Sequence, residues 1–234
     1  MGAGGLGPPD SFGGYRAQLV ETLREKGIRD LGVLHAIATV PRHRFVPEAL
    51  RHRAYEDSPL PIGMGQTISQ PYVHARSLEL LRLKGTDRVL EVGAGSGYQT
   101  ALLAALASTV LAVERVPSLA RQAREALDAL GVKNATVVVG DGTLGWRPYA
   151  PFDAILVSAA SPAVPKPLLE QLSEGGRLVI PLGDADSQTL TLVEKSGGGD
   201  QLRYSEATGG GVRFVPLLGE FGFRPEEEPG GRGT

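Results

Sequence analysis

The chain of 234 residues contains no cysteine. That excludes a disulfide scaffold, a cysteine nucleophile, thiolate-held zinc and iron–sulfur clusters. An excess of charge of one sign is missing too. With 24 Lys+Arg against 26 Asp+Glu the formal charge is −2, which makes no electrostatic case for a nucleic-acid binder. Two short basic patches, Arg42-His43-Arg44 and Arg51-His52-Arg53, read as solvated faces of helices or loops. The longest apolar stretch, Ala101 to Val113, is broken by Ser108 and Thr109 and stops at Glu114. A bilayer span takes roughly 20 residues, so no membrane segment is expected. The N-terminus lacks the basic and apolar regions of a secretory peptide and the Ser/Thr of a myristoylation signal, and the expected compartment is the cytoplasm.

What is abundant is glycine, with 32 residues, joined by 17 prolines. Fifteen of those glycines lie in the two ends of the chain and in the runs Gly197-Gly198-Gly199 and Gly209-Gly210-Gly211. The remainder punctuate a regular pattern. The expected organisation is a flexible leader (1–14), one domain (15–223) and a flexible tail (224–234). Within the domain, 15–70 is an N-terminal helical, substrate-side extension, 71–182 a cofactor-binding core and 183–223 the C-terminal strands.

Helices are predicted from Tyr15 to about Gly27 and from the N-cap Asp30 to Val40, and residues 41–70 read as loops and turns, with prolines at 41, 47, 59 and 61. From Pro71, which suits a first helical turn, a helix is predicted through Leu81. Buried strands at 88–92, 109–113, 136–139, 154–157 and 177–180 then alternate with helices up to about 106, over 117–130 and over 165–172. This alternation predicts an α/β fold: a doubly wound, mostly parallel sheet with N-terminal helices. After Pro181 the helical pattern stops. Thr189–Val193 and Val212–Leu218 read as strands of a C-terminal antiparallel hairpin.

In such a sheet a ligand sits beyond the carboxyl ends of the strands, where strand order reverses. Gly93-Ala94-Gly95-Ser96-Gly97 follows the first core strand, so the backbone can pass close to a ligand before the next helix begins. The spacing is G-x-G-x-G, not the G-x-G-x-x-G of a dinucleotide site, and no catalytic Lys, Tyr or His arrangement supports a nicotinamide dehydrogenase. Glu114 ends the second strand, where a carboxylate can accept both hydroxyls of a ribose; such charge-assisted bonds are worth about 1.5–3 kcal/mol each. Gly140-Asp141-Gly142 ends the third strand and offers a carboxylate to an exocyclic adenine amine. Glu91, Glu114 and Asp141 are thus expected to converge on one rim, suited to an adenosine ligand that carries a cation.

Val89-Leu-Glu-Val-Gly-Ala-Gly-Ser-Gly-Tyr98 resembles the first motif of class I S-adenosylmethionine-dependent methyltransferases, with Glu114 and Asp141-Gly142 at that class's second and third positions. Four further segments, Val40-Pro-Arg-His-Arg-Phe-Val-Pro47, Leu60-Pro-Ile-Gly-Met-Gly-Gln-Thr-Ile-Ser-Gln-Pro-Tyr72, Phe152–Ala160 and Val212–Leu217, resemble the protein-L-isoaspartate (D-aspartate) O-methyltransferase family. The likeness runs from about 15 to 223.

That resemblance implies methyl transfer from S-adenosyl-L-methionine, leaving S-adenosyl-L-homocysteine, to the free carboxylate of L-isoaspartyl residues in damaged proteins and peptides; the ester then closes to a succinimide. No metal is expected, and the chain is expected to act as a monomer. By the same carry-over Ser69 is the active-site serine. Thr67, Ile68, Gln70 and His74 join Glu91, Gly93, Gly95, Gly97, Glu114, Asp141 and Gly142 around the cofactor, and Thr67, Ser69 and the backbone at Val215 meet the substrate peptide. Arg213 is a candidate for neutralising carboxylate charge. Ser161 departs from the family's small apolar residue. A carboxylate is already ionised at pH 7, so the chemistry needs no strong base, and none of the four histidines shows a relay partner in sequence. The competing reading is an enzyme of the same fold acting on an aspartyl carboxylate of a modified natural-product peptide.

Overall fold

The structure, a computed structural model, describes residues 12–184, 187–196, 202–205 and 211–224. Most of the expected leader and tail, and Gly197-Gly198-Gly199, lie outside the described residues.

Helix α1 (Gly13–Glu25) begins two residues before Tyr15 and buries Leu19 and Leu23. Helix α2 (Leu31–Thr39) is capped as its sequence predicts: the Asp30 carboxylate accepts from Val33 N at 3.0 Å. Residues 41–70 are more ordered than their prolines suggest. Two short 3₁₀ helices, Arg42–Phe45 and Glu48–Arg53, lead into an antiparallel hairpin of β1 (Leu60–Gly63) and β2 (Gln66–Ile68). Its turn passes through three consecutive positive-φ residues, Gly63, Met64 and Gly65. Helix α3 (Pro71–Leu81) follows, with proline in its first turn.

The core is β3 (Arg88–Val92), α4 (Tyr98–Leu106), β4 (Thr109–Glu114), α5 (Pro117–Ala129), β5 (Ala135–Val139), β6 (Phe152–Val157), the short α6 (Lys166–Gln171) and β7 (Leu172–Gly183). Strands β5, β4, β3, β6 and β7 lie side by side and parallel. The chain runs outward from β3 through β4 to β5, then returns to β6 on the other flank of β3. The switch point is therefore at β3, directly below the glycine loop. Because strand side chains alternate between faces, Val89, Val110, Ala112, Ala154 and Leu156 join one buried cluster with residues of α1 to α5. Leu90, Val92, Leu111, Val113, Ile155 and Val157 join the other, with Leu168 of α6.

The expected C-terminal antiparallel pair is present, as β8 (Gln188–Lys195) and β10 (Gly211–Val212), with further strands around it. Strand β8 runs antiparallel to β7, and its outer edge carries both β9 (Leu202–Ser205) and β10. The expected strand to Leu218 stops at Val212. Beyond it the chain bends to meet the loop after β6, where Ala160 N donates to Val215 O at 2.8 Å and Leu217 N to Ala160 O at 2.7 Å. Pro216, which has no N–H to offer a ladder, sits at this bend.

Candidate active site

A cleft opens above the carboxyl ends of β3, β4 and β6. One side is Gln66, Thr67, Ile68, Ser69 and His74; the floor is Gly93, Ala94, Gly95 and Ser96 with Glu114; the far side is Gly142 and Val215–Leu218. A second cleft, lined by Pro59, Gln70, Val73 and Gly211–Phe214, adjoins it. Thr67, Ser69, Ser158 and Val215 line both. Nine of the residues singled out in the sequence (Thr67, Ile68, Ser69, His74, Gly93, Gly95, Glu114, Gly142 and Val215) thus come together around the first cleft.

Glu114, the last residue of β4, is 7% exposed and bonded at both oxygens: Oε2 accepts from Gly95 N and Oε1 from Val116 N, each at 2.8 Å. A carboxylate has about four acceptor sites, so two stay available to a ligand in the cleft. Glu114 therefore also sets the glycine loop. At Gly142 a Cβ would lie 2.4 Å from Val92 Cγ1, so no larger residue fits there without displacing the end of β3.

His74 is buried, and its Nδ1 is hydrogen-bonded to Gln99 Oε1. Burial, and then the nearby Arg42 cation, push its pKa down to about 3, so the ring is neutral at pH 7, donates from Nδ1 and leaves Nε2 bare. It offers the cleft an acceptor and an apolar edge, not a charge.

Four expected residues stand elsewhere. Glu91 lies one position inside β3 and faces α4, fully buried, where Thr100 Oγ1 donates to its Oε2 at 2.6 Å. Burial first, with the Glu114 charge adding to it, raises its pKa to about 8 against the Thr100 bond. It is a neutral acid beneath the loop, not a rim carboxylate. Gly97 serves packing: it starts α4 at φ 86°, and a Cβ would come within 3.1 Å of Ala123 Cβ and 3.2 Å of its Cα. Asp141 turns away from the cleft; its Oδ1 accepts from Thr143 N (2.9 Å) and Thr143 Oγ1 (2.7 Å), and its Oδ2 from Glu220 N (2.8 Å). Gln70 lines the second cleft and donates from Nε2 to Asp57 Oδ2 at 3.0 Å.

The start of α3 is internally bonded. Its amides are not free for substrate: Tyr72 N is bonded to Asp57 Oδ1 at 2.8 Å, and Val73 N and His74 N to Gln70 O. The N-cap position is Gln70, so the Ser69 hydroxyl is not a helix cap. Val215 O is likewise already bonded to Ala160. Ser161 is buried and donates from Oγ to Ala163 O at 2.7 Å, outside the cleft wall.

Similarity to known proteins agrees with this geometry. The family model of protein-L-isoaspartate(D-aspartate) O-methyltransferase (PCMT) matches residues 15–222. The chain belongs to this family. The protein-L-isoaspartate O-methyltransferase of Methanoculleus marisnigri is 53% identical over 215 residues, covering 92% of this chain and 96% of the relative. Protein-L-isoaspartate O-methyltransferase 1 of Syntrophobacter fumaroxidans is 52% identical, covering 91% and 98%. A Plasmodium falciparum structure described as a protein-L-isoaspartate O-methyltransferase, in complex with S-adenosyl-L-homocysteine, superposes with a TM-score of 0.75 at 28% identity, over 87% of this chain and 98% of that one.

Among residues of this isoaspartate methyltransferase that the sequence did not single out, Ser158 forms part of the wall between the clefts, and Gln99 orients His74. Ser158 follows the last residue of β6 at the switch point, which was the available signal. Gln99, one residue past the motif that ends at Tyr98, gave none.

Proposed function

We infer that the chain moves a methyl group from S-adenosyl-L-methionine to the free carboxylate of L-isoaspartyl residues in damaged proteins and peptides, giving an ester that closes to a succinimide. The observation that carries this is the pair of clefts meeting across Thr67, Ser69, Ser158 and Val215. A donor in one and a carboxylate in the other would meet where these four residues are shared, without a separate path through the protein.

The first cleft fits the cofactor. Gly93 and Gly95 line the first cleft without side chains, at positive φ. Glu114 retains acceptor sites for ribose hydroxyls, and Val92, Val113 and Leu119 offer apolar wall to a purine. His74 Nε2 and Gln99 Nε2, both buried without a protein partner, face this region as polar groups awaiting one. When bound, S-adenosylmethionine supplies a methyl carbon on a sulfonium, open to in-line displacement. The residues of this chain need only align the nucleophile; Ser69 and Thr67 hydroxyls orient the incoming carboxylate, and Ile68, 3% exposed, keeps water from the path. Among the described residues no cluster of His, Asp and Glu could hold a metal.

A damaged peptide lies in the second cleft beside Gly211–Val215, with Arg213 on hand for its charge. Both clefts are lined by residues of this one chain. Among the described residues no helix is long and apolar enough to cross a membrane.

Two peptides that differ only in isoaspartate against aspartate, offered with methyl-labelled cofactor, test the reading. Labelling of the isoaspartyl peptide alone is expected, and Ser69→Ala is expected to lower its turnover while cofactor affinity is kept. Labelling of the aspartyl peptide alone would move the assignment to the competing carboxylate substrate.

A further inference from the structure

Arg42 stands in the first basic patch, yet it is fully buried. Its Nε donates to Ala54 O at 2.8 Å and its Nη2 to Ser69 O at 2.9 Å. The guanidinium carbon lies 4.9 Å from the centre of the Tyr98 ring, and the same ring meets His74 edge-on at 5.3 Å between centroids. One guanidinium thus joins three segments that are far apart in sequence: the end of the second 3₁₀ helix, the residue between β2 and α3, and the first turn of α4.

Burying a cation is costly, and this one is held by carbonyls and an aromatic face. Burial lowers its pKa to about 10, which still leaves it charged at pH 7. If filling space were its only task, an apolar side chain of similar volume would do it at less cost. What an apolar side chain could not do is grip two carbonyls at once in a fixed planar geometry. The Ser69 carbonyl is one of them, and Ser69 has no helix-capping bond to hold its side chain instead.

We propose that Arg42 is a positioning residue for methyl transfer: by clamping the Ser69 carbonyl it fixes the Ser69 hydroxyl, and with it Thr67, where the two clefts meet. This rests on the reading of the chain as an isoaspartate methyltransferase. Lysine at this position keeps the charge, but its single ammonium cannot reproduce the two-carbonyl fork. A displacement of about 1 Å at the acceptor side can cost on the order of 100-fold in rate.

A double-mutant cycle tests it. The wild-type chain is first shown to label an isoaspartyl peptide; if it does not, the functional reading fails and the cycle is not reached. Then kcat per folded enzyme, well below each variant's unfolding temperature, is compared for wild type, Arg42→Lys, Ser69→Ala and the double variant. We expect Arg42→Lys to reduce kcat about tenfold or more alone, and less than about threefold when Ser69 is already alanine. S-adenosylhomocysteine affinity, measured calorimetrically, stays within about threefold in Arg42→Lys. An equal kcat loss in both backgrounds, no loss in either, or a loss explained by weaker cofactor binding would overturn the proposal. Should Arg42→Lys fold poorly, Arg42→Gln, which keeps one planar donor group, replaces it in the same cycle with the same expected non-additivity.

Discussion

Asp141 marks the point where two accounts of the same residue part. The sequence offers its carboxylate to an adenine amine; the structure uses it to hold the C-terminal segment. Gly219 passes so close that a Cβ would lie 2.2 Å from Asp141 Oδ1, and Phe221 N donates to Thr143 Oγ1 at 3.2 Å. That segment continues directly from Val215–Leu218, which form the far wall of the first cleft. Asp141→Asn keeps the shape and changes one atom. With its oxygen toward Thr143, the new amide nitrogen faces Glu220 N, donor against donor. Flipping the amide restores that bond but sets a donor against Thr143 N, so neither orientation satisfies all three partners. The loss is one charge-assisted bond, about 1.5–3 kcal/mol, which bounds the peptide effect at about 10- to 100-fold. The expected result is a peptide KM raised within that bound. The decisive assay compares the affinity of S-adenosylhomocysteine with that of an analogue lacking the purine 6-amino group. If Asp141 is an anchor, the variant weakens both equally, since loosening the Leu217–Leu218 side of the cleft does not depend on the purine's substituent. A loss confined to the amino-bearing ligand, with peptide KM unchanged, would refute the anchor and restore direct adenine contact.

Two further outcomes follow from the other strand-end acids. Glu114→Gln places an amide nitrogen opposite Gly95 N or Val116 N and removes the charge from the ribose acceptor, so calorimetric cofactor affinity is expected to fall about 10-fold or more; unchanged affinity would show that the ribose is held elsewhere. For Glu91 the folded pKa, about 8, lies above its ordinary value of 4.5. The folded chain therefore keeps a proton that the unfolded chain releases. The stability this contributes is full below about pH 4.5, falls by up to about 1.4 kcal/mol per pH unit as pH rises, and is gone above about pH 8. Thermal unfolding of wild type should thus drop relative to Glu91→Gln between pH 5 and pH 8, and a constant difference across that range would contradict a neutral buried acid.

The doubly wound sheet was legible because each core strand contains a short apolar run, those of β3, β4 and β5 closed by glycine or an acid, and because Pro71 and Pro117 announce their helices. The hairpin of β1 and β2 was not. It has only four and three residues, one of them Pro61, and its buried positions Leu60, Ile62 and Ile68 are too few to show a period. The basic patch at Arg42 was misread for a related reason. Local sequence marks a charge as solvated, whereas this one is buried by partners 12 and 27 positions away, and His43 beside it stacks on Phe12 at 4.2 Å between ring centroids. Only Arg51-His52-Arg53 keeps the solvated character expected of it, with His52 and Arg53 exposed.

The three acids show how the place of a residue along its strand sets where its carboxylate goes. Each stands at the end of a neighbouring parallel strand, and residue type alone assigns them one rim. Their offset from the final strand residue separates them. Glu114 is that final residue, at the level where β4 opens into the cleft, and its carboxylate meets the glycine loop. Glu91 comes one residue before the end of β3; the alternation that turns Val92 into the cleft wall turns Glu91 to the opposite face, against α4. Asp141 comes two residues beyond the end of β5, where the backbone has begun the 3₁₀ turn Gly142–Leu144 and the carboxylate caps that turn instead of reaching the ligand. A shift of one or two residues along a strand thus takes an acid from the cleft beside the glycine loop to a buried place against α4 or to an anchor of the C-terminal segment, through strand geometry that the sequence states but a motif match does not weigh.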